Sequence, residues 1–251
     1  PKTWEELVST TVPLVTRTSE NLDILQSTLA FGEYTNVTNA KNILALLFLQ
    51  SGTSIVESDE EGYLITLKET NRGLLPPADA ALSFYTQFSL PTSAQYSWNR
   101  SLPDDVNQFS AGKLGLYFGF GSEYEAVRLS NPNLNFDIAV VPQGAGATVK
   151  RGLGVFYALA VPRASENPEG AYAAANVIGG QAVSASLASV LGVAPIHRAE
   201  ISLGAPNPYR QALYTSALIA RSWLDPDPVR TEQIFKSMIE DVTSGRSLVS
   251  E

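Results

Sequence analysis

The segment FSAGKLGLYFGFGSEYEAV, residues 109–127, places a short strand directly before a helix and constrains the fold more than any other stretch. Large apolar residues alternate with small or polar ones over residues 113–120, which predicts a strand with one face on a core. Ser122 and Glu125 then form the S-x-x-E pair that caps a helix N-terminus. Helical patterns and further strand-like runs surround this junction. The sequence therefore predicts an α/β fold.

Other segments extend this prediction. Thr3 and Glu6 form a second capping box, opening a helix that the pattern carries to about Leu25. Residues 135–141 are predicted as a strand, and residues 155–161, apolar without alternation, as a strand buried on both faces. The order Asn-Pro or Asp-Pro predicts helix starts after residues 167 and 227. An acidic tip around Gly62 between two β-prone pieces predicts a hairpin.

The glycines of the junction do not match a nucleotide-binding motif. The fingerprint of dinucleotide-binding proteins needs a third small residue where this chain has Tyr124. Residues 111–114 lack the first glycine of a phosphate-binding loop and the hydroxyl residue that binds magnesium. The net charge of −8 and the absence of a basic run give nucleic-acid binding no support.

Cysteine is absent, which excludes a disulfide framework, thiolate metal sites and cysteine nucleophiles. The single histidine, His197, lies in an apparent loop without a second metal-ligating partner nearby, so no metal site or cofactor is predicted. Carboxylate pairs, for instance Glu33 with Glu123, leave glycoside hydrolysis open as an alternative chemistry, because nothing in the sequence fixes their separation.

Five segments, taken in order, resemble motifs of the extracellular solute-binding proteins of ABC importers, the family that includes maltose-binding protein. The helix start PKTWEE resembles P-x-T-W-[DE]-E, and FSAGK resembles F-x-x-G-K, although Leu114-Gly115-Leu116 follows instead of the family's Ala-Met ending. The other three are FDIAVVP, the helix over residues 165–178, and the closing TSGR. The resemblance covers nearly the whole chain.

The resemblance implies a type II periplasmic-binding-protein fold, represented by the second lobe and part of the first. Residues 1–150 and 204–251 would belong to the second lobe, and residues 151–203 would return to the first. A first lobe of about a hundred residues, the size of a domain, precedes this point in the family. The chain is therefore expected to begin mid-protein, with residues 151–203 lacking their sheet or pairing with another chain.

The resemblance also implies which residues face the ligand between the lobes. Aromatic side chains there would stack on sugar rings, and polar ones would replace the hydrogen bonds that hydroxyls lose with water. The candidates are Glu33, Tyr34, Asn36, Trp98, Phe118, Phe120, Ser122, Glu123, Trp223 and Asp225. A core role stays open for Phe118, Phe120 and Trp223. A plain capping role stays open for the loop at residues 32–36, and Trp98 would either face the cleft or cover the following helix.

The implied function is that of a non-catalytic binding protein that captures a small solute, most simply a sugar or oligosaccharide, and delivers it to an ABC permease. Lobe closure around the solute would be the working motion. The implied location is extracytoplasmic, in a periplasm or anchored on the outer face of a bacterial membrane. A non-sugar solute and a glycoside-cleaving enzyme remain the alternatives.

Overall fold

A computed structural model describes residues 1–68 and 76–250 of the chain. The first helix, α1, is α-helical over Trp4–Glu6 and Val12–Val15, with a π-helical turn over Leu7–Thr11 between them. The π turn ends two residues before Pro13, which has no N–H for a regular helical bond. Thr3 caps the helix by accepting from the Glu6 N–H, as predicted, whereas the Glu6 carboxylate accepts from the Lys2 N–H.

The predicted continuation of this helix to Leu25 is wrong. The chain instead forms β1 (Arg17–Thr18) and β2 (Ile24–Leu29), which pair in antiparallel fashion. Strand β2 contains Ile24 and Thr28, two residue types that favour strands, and its last three residues are buried. The next helix, α2, spans Ala40–Gln50, and all but three of its residues are buried.

The middle of the chain adds a hairpin, helices and the central strand. The hairpin predicted around Gly62 is confirmed as β3 (Val56–Ser58) and β4 (Tyr63–Ile65). Helix α3 spans Pro77–Thr86, and helix α4 spans Asp105–Ser110. Of the predicted strand over residues 113–120, only Leu114–Leu116 pairs, as β5, which runs parallel to β2.

The junction after β5 contains a 3₁₀ turn over Gly121–Glu123 and then helix α5 over Tyr124–Ser130. The predicted Ser122–Glu125 capping box is wrong: Glu123, the third residue of this turn, accepts from the Phe120 N–H, whereas Glu125 accepts from Arg128. The predicted strand over residues 135–141 is not found, since that segment pairs with no strand among the described residues. A short strand β6 (Gly152–Leu153) follows.

Residues 155–161 are also not a buried strand. The Tyr157 side chain is 98% exposed, and Phe156 is 64% exposed. The chain leaves the sheet at Gly154, and no described strand lies beside the segment that follows.

Helices dominate the C-terminal part. Its elements are α6 (Pro168–Gly179), α7 (Gln181–Leu191), α8 (Arg198–Ser202), α9 (Pro208–Ile219), β7 (Ala220–Arg221) and α10 (Pro228–Thr243). The caps predicted at Asn167 and Asp227 are confirmed by side-chain hydrogen bonds. Among the described residues no single helix could span a membrane, and only α6 and α7 together, bent by 60°, reach the required length and composition.

One aromatic-rich core holds the N-terminal elements together. Phe31, at the end of β2, contacts Trp4, Tyr85, Phe88 and Phe118 with ring centroids 4.9–6.1 Å apart. Helix α10 joins this core through two fully or nearly buried residues, Phe235 and Ile239. The core therefore fixes the ends of β2 and β5, where the predicted site residues begin.

Candidate functional site

The carboxyl ends of two parallel strands bring the candidate residues to one edge of the sheet. The loop at residues 32–39 follows β2, and the junction at residues 117–123 follows β5. Loops that follow neighbouring parallel strands meet at the same edge, which is where open α/β sheets bind ligands. The polar side chains of these two loops and of the start of α10 are the candidate site.

A first cluster joins Tyr34 to the C-terminal helix. The Tyr34 hydroxyl donates to the Glu232 carboxylate, and Lys41 Nζ lies 3.6 Å from the other oxygen of that carboxylate. Lys41 also donates to Asp225 at 2.8 Å and to Thr231 at 2.7 Å. Two predicted residues that lie far apart in sequence, Tyr34 and Asp225, thus share one network through Lys41.

Trp223 belongs to the same cluster but packs on protein. Its ring stacks on Phe235 with centroids 5.9 Å apart, and Lys41 Nζ lies 5.6 Å from its centre. A cation over an indole face is a favourable arrangement. The exposed remainder of the half-buried ring is the part available to a ligand.

Glu33 is buried beside one arginine. Arg100 reaches both of its carboxylate oxygens, at 3.1 and 3.3 Å, and the Glu33 side chain is only 6% exposed. Burial raises the pKa of this carboxyl, and the Arg100 guanidinium opposes the shift. Arg100 itself is 55% exposed and also donates to the Thr243 hydroxyl at 3.5 Å.

Glu123 organises the junction. Its carboxylate accepts from the Asn39 amide at 3.1 Å, from the Tyr117 hydroxyl at 2.9 Å and from the Phe120 N–H at 3.0 Å. These neutral donors tie the 3₁₀ turn before α5 to Asn39, the residue before α2. Ser122 is exposed beside them, and the described residues provide no hydrogen-bond partner for its hydroxyl.

Phe118 and Phe120 have different surroundings. Phe118 stacks on Trp4 with centroids 5.7 Å apart and packs against the core. Both rings line a small cavity of about 60 Å³ together with the amides of Asn39 and Asn42. Aromatic faces beside amide groups offer the combination that sugar rings need, and Phe120, unlike Phe118, is not part of the core cluster.

Asn36 and Trp98 serve the scaffold in this structure. The Asn36 amide nitrogen donates to the carbonyls of Asn99 and Leu102, and its oxygen accepts from Trp98 Nε1 at 3.1 Å. Trp98 is completely buried, as is the Ser97 hydroxyl that bonds to β2. These bonds use the side-chain donors and acceptors that the sequence interpretation assigned to a ligand.

The sequence did not point to four members of the network. These are Asn39, Lys41, Arg100 and Glu232. Lys41 was the most detectable, because a cation in the first turn of an otherwise apolar helix opposes the helix dipole and needs an anionic partner. The positions of Arg100 and Glu232 depend on long-range packing and carried no local signal.

A larger groove among the described residues lies elsewhere. It has a volume of about 570 Å³ and is lined by apolar residues such as Trp4, Leu47 and Phe84 at the opposite end of α2. None of the predicted site residues lines it, and the Gln50 amide at its edge is already bonded to Trp4, Pro142 and Arg151. We therefore place the candidate site at the network around Lys41 and Glu123, on chemistry rather than on size.

No family model matches the chain, and no curated protein matches it. Solved structures do. A cyclo/maltodextrin-binding protein with bound maltotetraose matches at a TM-score of 0.74 and 14% identity, over 100% of this chain and 61% of the other. The chain has the fold of the periplasmic binding proteins. The resemblance inferred from the five motifs is confirmed at the level of the fold.

Two further structures with this periplasmic-binding-protein fold match over the whole chain. One is a solute-binding protein of an ABC transporter from Thermotoga lettingae with bound α-D-tagatose, at a TM-score of 0.56, 16% identity and 61% of its length. The other is an oligosaccharide periplasmic-binding protein from Synechococcus, described as putative, with a TM-score of 0.60 and 16% identity over 63% of its length. The chain thus spans about three fifths of the proteins that it resembles. The predicted lobe boundaries at residues 150 and 203 stay predictions.

Proposed function

We propose that this chain is part of the substrate-binding component of an ABC transporter and captures a sugar or oligosaccharide. The fold supports a binding role without catalysis, because the matching structures are binding proteins. The observation that carries the sugar assignment is the pairing of aromatic faces with fixed polar groups at one edge of the sheet, formed by Phe120, Asn39 and Asn42. Sugars are bound by such combinations of stacking and hydrogen bonding.

The polar network supplies donors and acceptors in fixed positions. Tyr34 and Glu232 form one pair, and Arg100 with Glu33 forms another, each with one exposed member. Side chains already held by protein contacts lose little freedom when a ligand arrives, which favours affinity. The described cavity of about 60 Å³ is well below the roughly 300–1,000 Å³ of complete ligand pockets. We propose that an opposing surface closes over the sugar, as in a cleft between two lobes.

Extracytoplasmic location and delivery to a membrane permease follow from this proposal as its biological setting. The rival classes are a non-sugar solute and a glycoside-cleaving enzyme. In the enzyme, two carboxyl groups about 5 to 10 Å apart would flank the bond that breaks. Glu33, Asp225 and Glu232 each contact a cation in this chain, an arrangement that suits positioning more than proton donation.

The experiment is calorimetric titration of the chain with maltotetraose, maltose, tagatose and glycerol 3-phosphate, with a thermal-shift measurement on the same samples. We expect saturable binding of a sugar and a rise in the melting temperature. The variant Glu232→Gln should bind at least about tenfold more weakly, since a charged acceptor is lost. Glu57→Gln, at the exposed hairpin, is the matched control and should bind as the wild type does.

Equal affinity in the Glu232→Gln and Glu57→Gln variants would remove the proposed site. Binding of glycerol 3-phosphate without binding of any sugar would replace the ligand class. Release of free sugar from a nitrophenyl glycoside by the chain would favour the enzyme.

A further inference from the structure

Tyr209 lies between the candidate site and a distant helix end. Its hydroxyl oxygen is 3.1 Å from the Gly121 carbonyl at the junction and 3.0 Å from the Gly192 carbonyl at the end of α7. Its ring stacks on Tyr124, in the first turn of α5, with centroids 4.1 Å apart and planes inclined by 22°. One side chain therefore contacts the residue before Ser122, the helix after it, and the C-terminus of α7.

The start of α9 holds Tyr209 in a fixed place. The Asn207 side chain accepts from the Arg210 N–H at 2.8 Å, and Pro208 occupies the first helical position. A side-chain cap followed by proline is a well-defined helix start. This helix start fixes the backbone position of Tyr209 in the first turn of α9.

The neighbouring residue fixes the other side of the contact. Arg210 donates to the carbonyls of Ala188, Ser189 and Val193 at 2.9–3.1 Å. These carbonyls lie at the C-terminus of α7, where backbone acceptors lack helical partners and a cation is favoured. The helix ends at Gly192, whose φ of +70° turns the chain in the left-handed region. Three hydrogen bonds from Arg210 thus join the end of α7 to α9.

Leu213, one turn further along α9, lies directly against Gly121. A side-chain carbon added to Gly121 would overlap the Leu213 methyl group. Glycine at this position lets α9 approach the backbone of the junction closely, and the Tyr209 hydroxyl reaches the Gly121 carbonyl as a result.

We infer that Tyr209 is a positioning residue that couples the junction bearing Phe120, Ser122 and Glu123 to the end of α7. A tyrosine hydroxyl has one proton and faces two carbonyl acceptors here, so the bond is shared between them. Any displacement of α7 changes the bond to Gly121, and any change at the junction alters the bond to Gly192. Partial burial also raises the pKa of the Tyr209 hydroxyl, which keeps it a donor at neutral pH.

The coupling is tested without a ligand, by hydrogen–deuterium exchange of the whole chain read by mass spectrometry. The variant Tyr209→Phe keeps the stacking ring and removes the hydroxyl. We expect exchange to rise about fivefold or more in both peptides that cover residues 119–125 and 188–194, the effect of losing about one hydrogen bond. Tyr214→Phe is the control, because Tyr214 is on the same helix and its hydroxyl has no hydrogen bond within the described residues.

The outcomes are decisive in either direction. A rise in both segments with the remaining peptides unchanged supports the coupling. No rise in one of the two segments overturns it, as does a uniform rise across the chain, which would mean a purely structural role. The same rise in the Tyr214→Phe variant would overturn the assignment to Tyr209.

A second measurement rests on the proposed function and adds saturating maltotetraose. In the wild type we expect slower exchange in both segments, and in the Tyr209→Phe variant slower exchange in residues 119–125 alone. Protection of both segments in the variant would overturn the coupling. If the chain binds no sugar of the panel, the proposed function fails, whereas the ligand-free comparison still decides on Tyr209.

Discussion

The ammonium nitrogen of Lys41 lies 2.8 Å from the Asp225 carboxylate, a contact between residues 184 positions apart that ties the start of α2 to the segment before α10. Both side chains are mostly buried, at 13% and 21% exposure. Lys41 also contacts Thr231 and the carboxylate of Glu232, which in turn accepts from Tyr34. One cation thus holds together the polar cluster proposed to bind the ligand.

Replacing Lys41 with methionine is expected to lower the free energy of unfolding by about 1–3 kcal/mol, the cost of leaving a partly buried charged group without its partner. Methionine keeps most of the apolar stem, so the loss reports on the charge. Urea unfolding of Lys41→Met, Asp225→Asn and the double variant measures it. The double variant should lose less than the sum of the two single losses, and strict additivity would refute the direct pair.

Variants of Asn36 and Ser122 are expected to distinguish a residue that stabilises the scaffold from one that contacts the ligand. Asn36→Ala removes the acceptor of the Trp98 indole N–H and the donor to the Leu102 carbonyl, whereas the Asn99 carbonyl still accepts from the Leu102 N–H, so the substitution should cost about 2–4 kcal/mol of stability. Ser122→Ala, at an exposed position, should change stability by no more than about 0.5 kcal/mol yet weaken sugar binding. Denaturant unfolding and calorimetric titration of both variants test this. A stable Asn36→Ala protein that fails to bind would reverse the two roles.

Sequence patterns predicted those parts of the fold that local chemistry determines. Thr3, Asn167 and Asp227 cap helices where expected, because each cap bonds a backbone N–H three residues ahead. Pairing between strands far apart in the sequence was harder to predict from local patterns. Residues 155–161 have the composition of a buried strand, but a strand also needs a neighbour, and no described strand lies beside them. The helix predicted to reach Leu25 failed similarly, because β-pairing with Gln26 competes with helix formation around Arg17.

The candidate site also combines residues that local sequence predicts with partners that only long-range packing brings together. A polar residue in a loop beside a predicted strand end has the same local signature whether it binds a ligand or the backbone. Asn36 bonds the backbone of residues more than 60 positions away, which its own neighbours in sequence do not reveal. Tyr34 and Glu123 stayed at the site, but their partners Glu232 and Asn39 emerged only once the helices were packed.

The pH dependence of stability is expected to reveal the burial of Glu33. Burial raises its pKa in the folded protein above the ordinary value of 4.5. The folded state therefore binds the proton more tightly than the unfolded state, so this group adds stability below about pH 4.5, and that gain is lost as pH rises through the folded pKa.

Glu33→Gln removes the titration and keeps the shape. We expect its stability, relative to the wild type, to be higher at pH 7 than at pH 4, because only the wild type gains from protonation. Urea unfolding of both proteins at several pH values between 4 and 7 measures the difference. Glu57→Gln at the exposed hairpin serves as a control and should show no such trend. A relative stability that falls as pH rises would mean that the Arg100 pair, and not burial, controls Glu33.

The close approach of α9 to the junction predicts a steric effect at Gly121. Adding a methyl group there would overlap Leu213, so Gly121→Ala should lower the free energy of unfolding by about 1–3 kcal/mol, as overpacking does. Gly179→Ala is the matched control, since nothing lies within 4 Å of the added carbon. At that helical position alanine should be neutral or stabilise by up to about 1 kcal/mol.

Combining Gly121→Ala with Leu213→Ala makes room for the methyl group, and the double variant should then be more stable than the sum of the two single losses implies. Thermal and urea unfolding of the wild type, the three single variants and the double variant provide the comparison. A Gly121→Ala protein as stable as the wild type would show that α9 does not press on the junction, and the shared bond of Tyr209 would lose its geometric basis.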